Sequence, residues 1–233
     1  MKVGFLMPLL LWGGVTLSAQ TIVQQFAAIS RNSGATSDLD IEATGQGSTL
    51  IAMPGQLSPG VKVLSVTDNA PEGGNTYKQV PGASATCGHS GSLDIWYCEK
   101  CKAGVTELKF HLSSGARGSI NSFLEVSNLA PSSVLDGSGA QISDGTATNS
   151  GTEVGPTAKT TSRDFIVARF FSSSPYPTGV TPESWTFKPS YVYVLNAPPG
   201  TYQPTLTGGK DGGSFCMSVA AFKNAPNDAG LQK

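Results

Sequence analysis

Four cysteines, two histidines and a few clustered carboxylates are the residues in this 233-residue chain with the chemistry to bond, ligate or attack. Cys87, Cys98 and Cys101 stand close together and Cys216 lies near the other end. Cys87-x-His89 followed by Cys98-x-x-Cys101 has ligand types and spacing that suit a tetrahedral zinc ion. That set would leave Cys216 single, and cysteines of an exported chain favour disulfides, so pairing is the stronger reading. Four cysteines pair in three ways. The expectation is that Cys216 staples the last strand to the central region and Cys87 takes the remaining partner, a Cys98–Cys101 bridge being the other arrangement. A thioredoxin-like use of Cys98 and Cys101 lacks the βαβ surroundings that chemistry needs.

The other candidates are weaker. Gly88-His89-Ser90-Gly91-Ser92 approaches the G-x-S-x-G of a nucleophile elbow, but the last position is Ser, and no strand-to-helix pattern surrounds it. Asp38, Asp40 and Glu42 alternate in SDLDIE, so in a strand they share one face. They are suited to calcium or to glycoside hydrolysis, but charge on an edge strand that repels other sheets explains them as well and is preferred. Asp68, Asn69 and Asn75, with Glu72 between them, make an oxygen-rich loop, the better candidate for calcium. No other cofactor is expected. Trp96, Trp185 and Tyr176 are the tentative ligand-binding aromatics, a flat face for a sugar ring or an anchor for a protein.

These groups must be positioned by strands. After the first twenty residues no stretch of about twelve carries a 3.6-residue period, and short period-two runs dominate. The clearest is 105–112, VTELKFHL, with Leu108, Phe110 and Leu112 on one face and Glu107, Lys109 and His111 on the other, the pattern of a half-buried antiparallel strand. Asp164 to Phe171, DFIVARFF, is apolar on both faces and is expected to be central. Gly, Asn and Pro clusters stop the runs. The count is about ten strands and no reliable helix, which predicts an all-β fold: a two-sheet antiparallel β-sandwich, jelly-roll or immunoglobulin-like.

Residues 1–19 read as a secretory signal peptide: Lys2, an apolar run to Leu17, then Leu17-Ser18-Ala19 as a small-residue cleavage site. The remainder divides into one sandwich domain over 20–223 and a polar tail over 224–233. Lys and Arg number 15 against 16 Asp and Glu, for a net charge of −1. That balance gives nucleic acid no electrostatic handle, and no membrane insertion is expected once the leader is removed.

The series Val66-Thr67-Asp68-Asn69, Gly74-Asn75-Thr76-Tyr77, Asp94-Ile95-Trp96-Tyr97, Ala103-Gly104 and Leu124-Glu125-Val126-Ser127, with Pro131 to Asp136 and Ala220 to Lys223, resembles a group of secreted bacterial β-sandwich surface modules. The resemblance implies a non-catalytic role. The chain departs from it by the inserted Pro71-Glu72-Gly73 and by its cysteines. The expectation is therefore a secreted, extracellular, non-enzymatic module for adhesion or for surface or matrix assembly. Its partners would be a cell-surface or matrix protein, a glycan, or further copies of itself. A carbohydrate-binding module is the alternative, and a secreted hydrolase a weaker one.

Overall fold

The structure is a computed structural model that describes residues 19–30, 34–88 and 91–226. The cleavage-site reading, except for Ala19, lies outside the described residues, as do His89 and the tail beyond 226. Among the described residues there is no α-helix, and all strand pairings are antiparallel. The described strands number 21 where the period-two runs suggest about ten. Many of the additional ones are two or three residues long, too short to carry a period.

Four layers follow from alternation along a few strands. An eight-stranded sheet holds β1 (Thr21–Ser30), β3 (Thr49–Met53), β4 (Gly55–Gln56), β6 (Lys78–Gln79), β7 (Ala85–Thr86), β8 (Ser92–Leu93), β9 (Trp96–Cys98) and β11 (Ser119–Ser127). A three-stranded sheet is built from β2 (Thr36–Asp40), β5 (Val63–Asp68) and β10 (Glu107–Leu112). In β3, Leu50 and Ala52 point into a core shared with that smaller sheet, where they meet Leu108 and Phe110. Ile51 and Met53, the intervening residues, point the other way.

That second core is completed by a five-stranded sheet, β12 (Ala140–Thr146), β15 (Asp164–Ser172), β17 (Thr186–Lys188), β18 (Tyr191–Ala197) and β21 (Ser214–Lys223). Phe165 and Val167 of β15 and Phe222 of β21 pack there against Leu124 and Val126 of β11. Ile166, Ala168 and Phe170 alternate to the far face. They are covered by two small sheets, β13 (Glu153–Val154), β16 (Gly179–Thr181) and β20 (Thr205–Thr207), and β14 (Ala158–Thr160) with β19 (Gly200–Tyr202). Period-two apolar runs on both faces are what a sheet needs when it is covered twice, and β15 is indeed the middle strand of its sheet.

Polar side chains pin the layers together. Ser37 and Ser119 hydrogen-bond at 2.6 Å between the first two sheets, and Ser122 and Ser190 at 2.9 Å between the next two. Arg169 does the same on a larger scale. Its place in β15 turns it towards the eight-stranded sheet, where it is fully buried. Nε donates to the Met53 carbonyl at 3.3 Å, Nη2 to the Ile120 carbonyl at 2.7 Å, and Nη1 to the Phe170 carbonyl at 3.1 Å and to the Ser190 carbonyl. Room for it depends on Gly55, whose missing side chain would lie 3.0 Å from Nη2 and against the Phe171 ring.

Candidate functional site

The cysteines form two disulfides, Cys87–Cys216 and Cys98–Cys101. Cys216 does staple the last strand to the middle of the chain, but through Cys87 rather than through Cys98 or Cys101. Cys87 closes the loop after β7, and β7 packs on β21, which carries Cys216. Cys98 ends β9, and the turn after it brings Cys101 back within 5.9 Å between Cα atoms. With every cysteine paired, none remains as a thiolate for zinc. Disulfides of this kind fit an oxidising compartment.

The loop read as a calcium site has its oxygens occupied. Asp68 Oδ1 accepts from the amides of Ala70 and Asn75 at 3.1 and 3.0 Å, and Oδ2 from Asn75 Nδ2 at 2.8 Å and the Tyr77 hydroxyl at 2.9 Å. Asn69 Oδ1 accepts from the amides of Thr106 and Glu107, and Asn75 Oδ1 from that of Lys102. These residues close the Asp-Asn/Gly-Asn turn and tie it to β10. These hydrogen bonds give Asp68, Asn69 and Asn75 a structural role in holding the turn.

Other carboxylates are likewise turned inward. Asp94 accepts from Gln79 and Ser84, and Glu125, fully buried, accepts from the Gly45 amide at 2.8 Å and Gln24 at 2.7 Å. Asp38 and Asp40, by contrast, are exposed on β2, an edge strand of the three-stranded sheet. No group of three His, Cys, Asp or Glu among the described residues is placed to share a metal.

The aromatic candidates do not converge. Trp96 is buried between the eight- and three-stranded sheets, and Trp185 in the core on the far side of β15. They share no face, so they cannot form one stacking platform. The physical reason is that Trp96 lies in β9, which is buried throughout, while Trp185 sits in the turn before β17, folded into the core. Tyr176 alone is half exposed, at 50%. It lines an apolar groove of about 670 Å³ with Ala27, Ile29, Ile120, Phe187 and Pro189.

Beside this groove runs β1. Among the described residues it pairs with β11 on one edge only, in register over Gln24–Ser30 after a bulge at Val23. Its sequence, TIVQQFAAIS, has no charge and no proline. Val23 and Ile29 are 54% and 70% exposed. Unpaired edges are normally blunted by Lys, Pro or brevity; here only the bulge serves. A period-two run marks Thr21 to Phe26 of this strand in the sequence, but its edge position depends on pairing order. No family model, curated protein or solved structure matches the chain.

One pair of buried acids predicts a pH dependence. Burial, the hydrogen bond to Asp136 and its charge push Asp164 up to about 7, against a hydrogen bond from Ser162. Burial also pushes Glu153 up to about 7, against a hydrogen bond from Ser172. Raised carboxyls stabilise the fold below their unfolded values near 4 and lose that support as the pH rises through 7. For Asp136 burial acts upwards but is outweighed by hydrogen bonds from Thr161 and Asp164 and by Lys223, so its carboxyl is held low. Its contribution therefore disappears only as the pH falls below about 4. Asp164 and Glu153 each give up roughly 2–3 kcal/mol between pH 5 and pH 8, so urea unfolding is expected to show about 5 kcal/mol less stability at pH 8 than at pH 5. Asp164→Asn should flatten part of that slope; stability rising towards pH 8 would sink the assignment.

Proposed function

We propose that this chain is a secreted, non-catalytic extracellular module, built on a sandwich-type β scaffold, that acts in adhesion or in the assembly of a surface or matrix. The observation that carries the reading is the accessible, uncharged edge of β1 beside an apolar groove. Backbone groups on a free edge offer a ready template for another strand, and an adjoining groove can take its side chains. The inward carboxylates support it from the other side, because Asp68, Asp94 and Glu125 are spent on internal hydrogen bonds, while Asp38 and Asp40 lie exposed on an edge strand. The disulfides suit an extracellular setting, and the motifs that resemble secreted bacterial β-sandwich modules agree with a role without catalysis.

The test is retention. Purified protein is mixed with surface material from the producing organism and sedimented, with an unrelated β-sandwich protein as control. Selective co-sedimentation is expected. Protein left wholly in the supernatant would remove the reading, as would turnover of glycosidase or esterase substrates that is lost in Asp40→Asn.

A further inference from the structure

We propose that the free edge of β1 pairs antiparallel with β1 of a second copy of this chain, about a two-fold axis passing beside Phe26. This deepens the assembly reading above by naming the surface and its occupant.

Self-pairing is argued from the strand's own composition. Val23 and Ile29 are the exposed large apolar side chains of β1, and they stand three residues either side of Phe26. An antiparallel two-fold through Phe26 therefore sets Val23 of each copy opposite Ile29 of the other, twice in one interface. Such an isologous contact is closed, so it ends at two copies and does not run on as a fibre. Gln25 falls opposite Ala27 and Gln24 opposite Ala28, and with no charged residue in TIVQQFAAIS no like charges meet.

The groove supplies the second argument. Ala27, Ala28 and Ile29 form one of its walls, so it flanks the C-terminal half of β1. An antiparallel neighbour brings its N-terminal half to that place. Val23 of the second copy would lie at the groove mouth by Ile29 and Tyr176, covering apolar surface that each copy otherwise leaves to water. The bulge at Val23 leaves Gln24–Ser30 regular, and this stretch contains Phe26 and the ladder around the axis.

Sedimentation equilibrium of the purified protein, intact and with its disulfides formed, tests the pairing. The expected mass is twice that of the chain. Val23→Lys and Ile29→Glu, both at exposed positions, should each weaken the dimer at least tenfold while leaving the far-ultraviolet circular dichroism spectrum of the folded chain unchanged. Mixing the two variants should restore a dimer, because one of the two Val23/Ile29 contacts then becomes a Lys–Glu pair and the other is native. A monomeric wild type at high micromolar concentration would overturn the proposal, as would variants that remain fully dimeric. A mixture that stays monomeric overturns the Phe26 register. A monomeric wild type that still co-sediments with surface material would defeat this pairing while leaving the adhesion reading intact. A monomer that instead takes up an extended peptide along β1 would assign the edge to a foreign strand and equally reject the second copy.

Discussion

Arg169→Met is expected to cost about 1–2 kcal/mol of stability, measured by urea unfolding at pH 7. Among the described residues the guanidinium has no carboxylate partner. Its charge is carried by four backbone carbonyls, those of Met53, Ile120, Phe170 and Ser190, drawn from β3, β11, β15 and the turn before β18. Two effects oppose each other. Burial makes the cation costly, which lowers its pKa from the usual arginine range to about 9, and Met would remove that penalty. A shift of that size corresponds to roughly 4–5 kcal/mol. Met also fills most of the stem volume without supplying N–H groups, so the carbonyls of Met53, Ile120 and Phe170 lose their side-chain donor, while that of Ser190 keeps the Phe170 amide at 3.1 Å. At about 1–3 kcal/mol for each of the three, that loss sums to roughly 3–9 kcal/mol. The midpoint of that range exceeds the relief, which sets the sign. Since the carbonyls belong to two different sheets, the loss should loosen their seam: amides of β11 and β15 should exchange faster than those of β10. A variant as stable as the wild type would show that the carbonyls find other donors, and that Arg169 is not the pin between the layers.

Arg169 also marks the limit of what the linear pattern conveys. DFIVARFF reads as a central strand because both of its faces are apolar, and β15 occupies that place. The same alternation puts position 169 on the face of Phe165 and Val167. What it cannot convey is that unpaired carbonyls at Met53 and Ile120, over a hundred and about fifty residues away, converge on that point. The Asp68 loop shows a related ambiguity. Carboxylate and amide oxygens that would ligate calcium are the same atoms that accept N–H bonds in a turn, and composition does not distinguish the two until the donors of Ala70, Tyr77 and Thr106 are in place. Trp96 and Trp185 fail as a platform for a third reason: Trp96 belongs to a sheet whose two faces are both interior, and Trp185 sits in a turn folded into a different core, where no strand period applies. The longer strands were legible for two reasons: β10 alternates because one face is buried, and β15 is a continuous apolar run because both are. Strands such as β4, β7 and β8 are two residues long, and only their pairing partners define them.

The two disulfides should differ in what they contribute, although both are single S–S bonds. Cys87–Cys216 closes a segment with a sequence separation of 129, and Cys98–Cys101 one of 3. In the chain-entropy account a cross-link acts by restricting the unfolded ensemble, with a cost that grows as the logarithm of the loop. On that basis the long bridge is worth about 5 kcal/mol and the short one about 2. Geometry adds to the contrast. Cys216 is fully buried in a small cluster with Ala85, Leu93 and Phe171, at the place where β7 meets β21, so its bridge ties the first half of the chain to the last strand. Cys98–Cys101 only shapes a turn whose amide at Cys101 already donates to the Ser48 carbonyl at 2.9 Å. Cys87→Ala/Cys216→Ala should therefore lower the unfolding free energy by more than twice as much as Cys98→Ala/Cys101→Ala, read by urea titration of the two double variants. Paired alanine substitutions leave no free thiol to react, so the comparison isolates the cross-links. Equal losses, or the larger loss from the short bridge, would mean that the native turn near Cys101, rather than the tether between the halves, is where sulfur stabilises this fold.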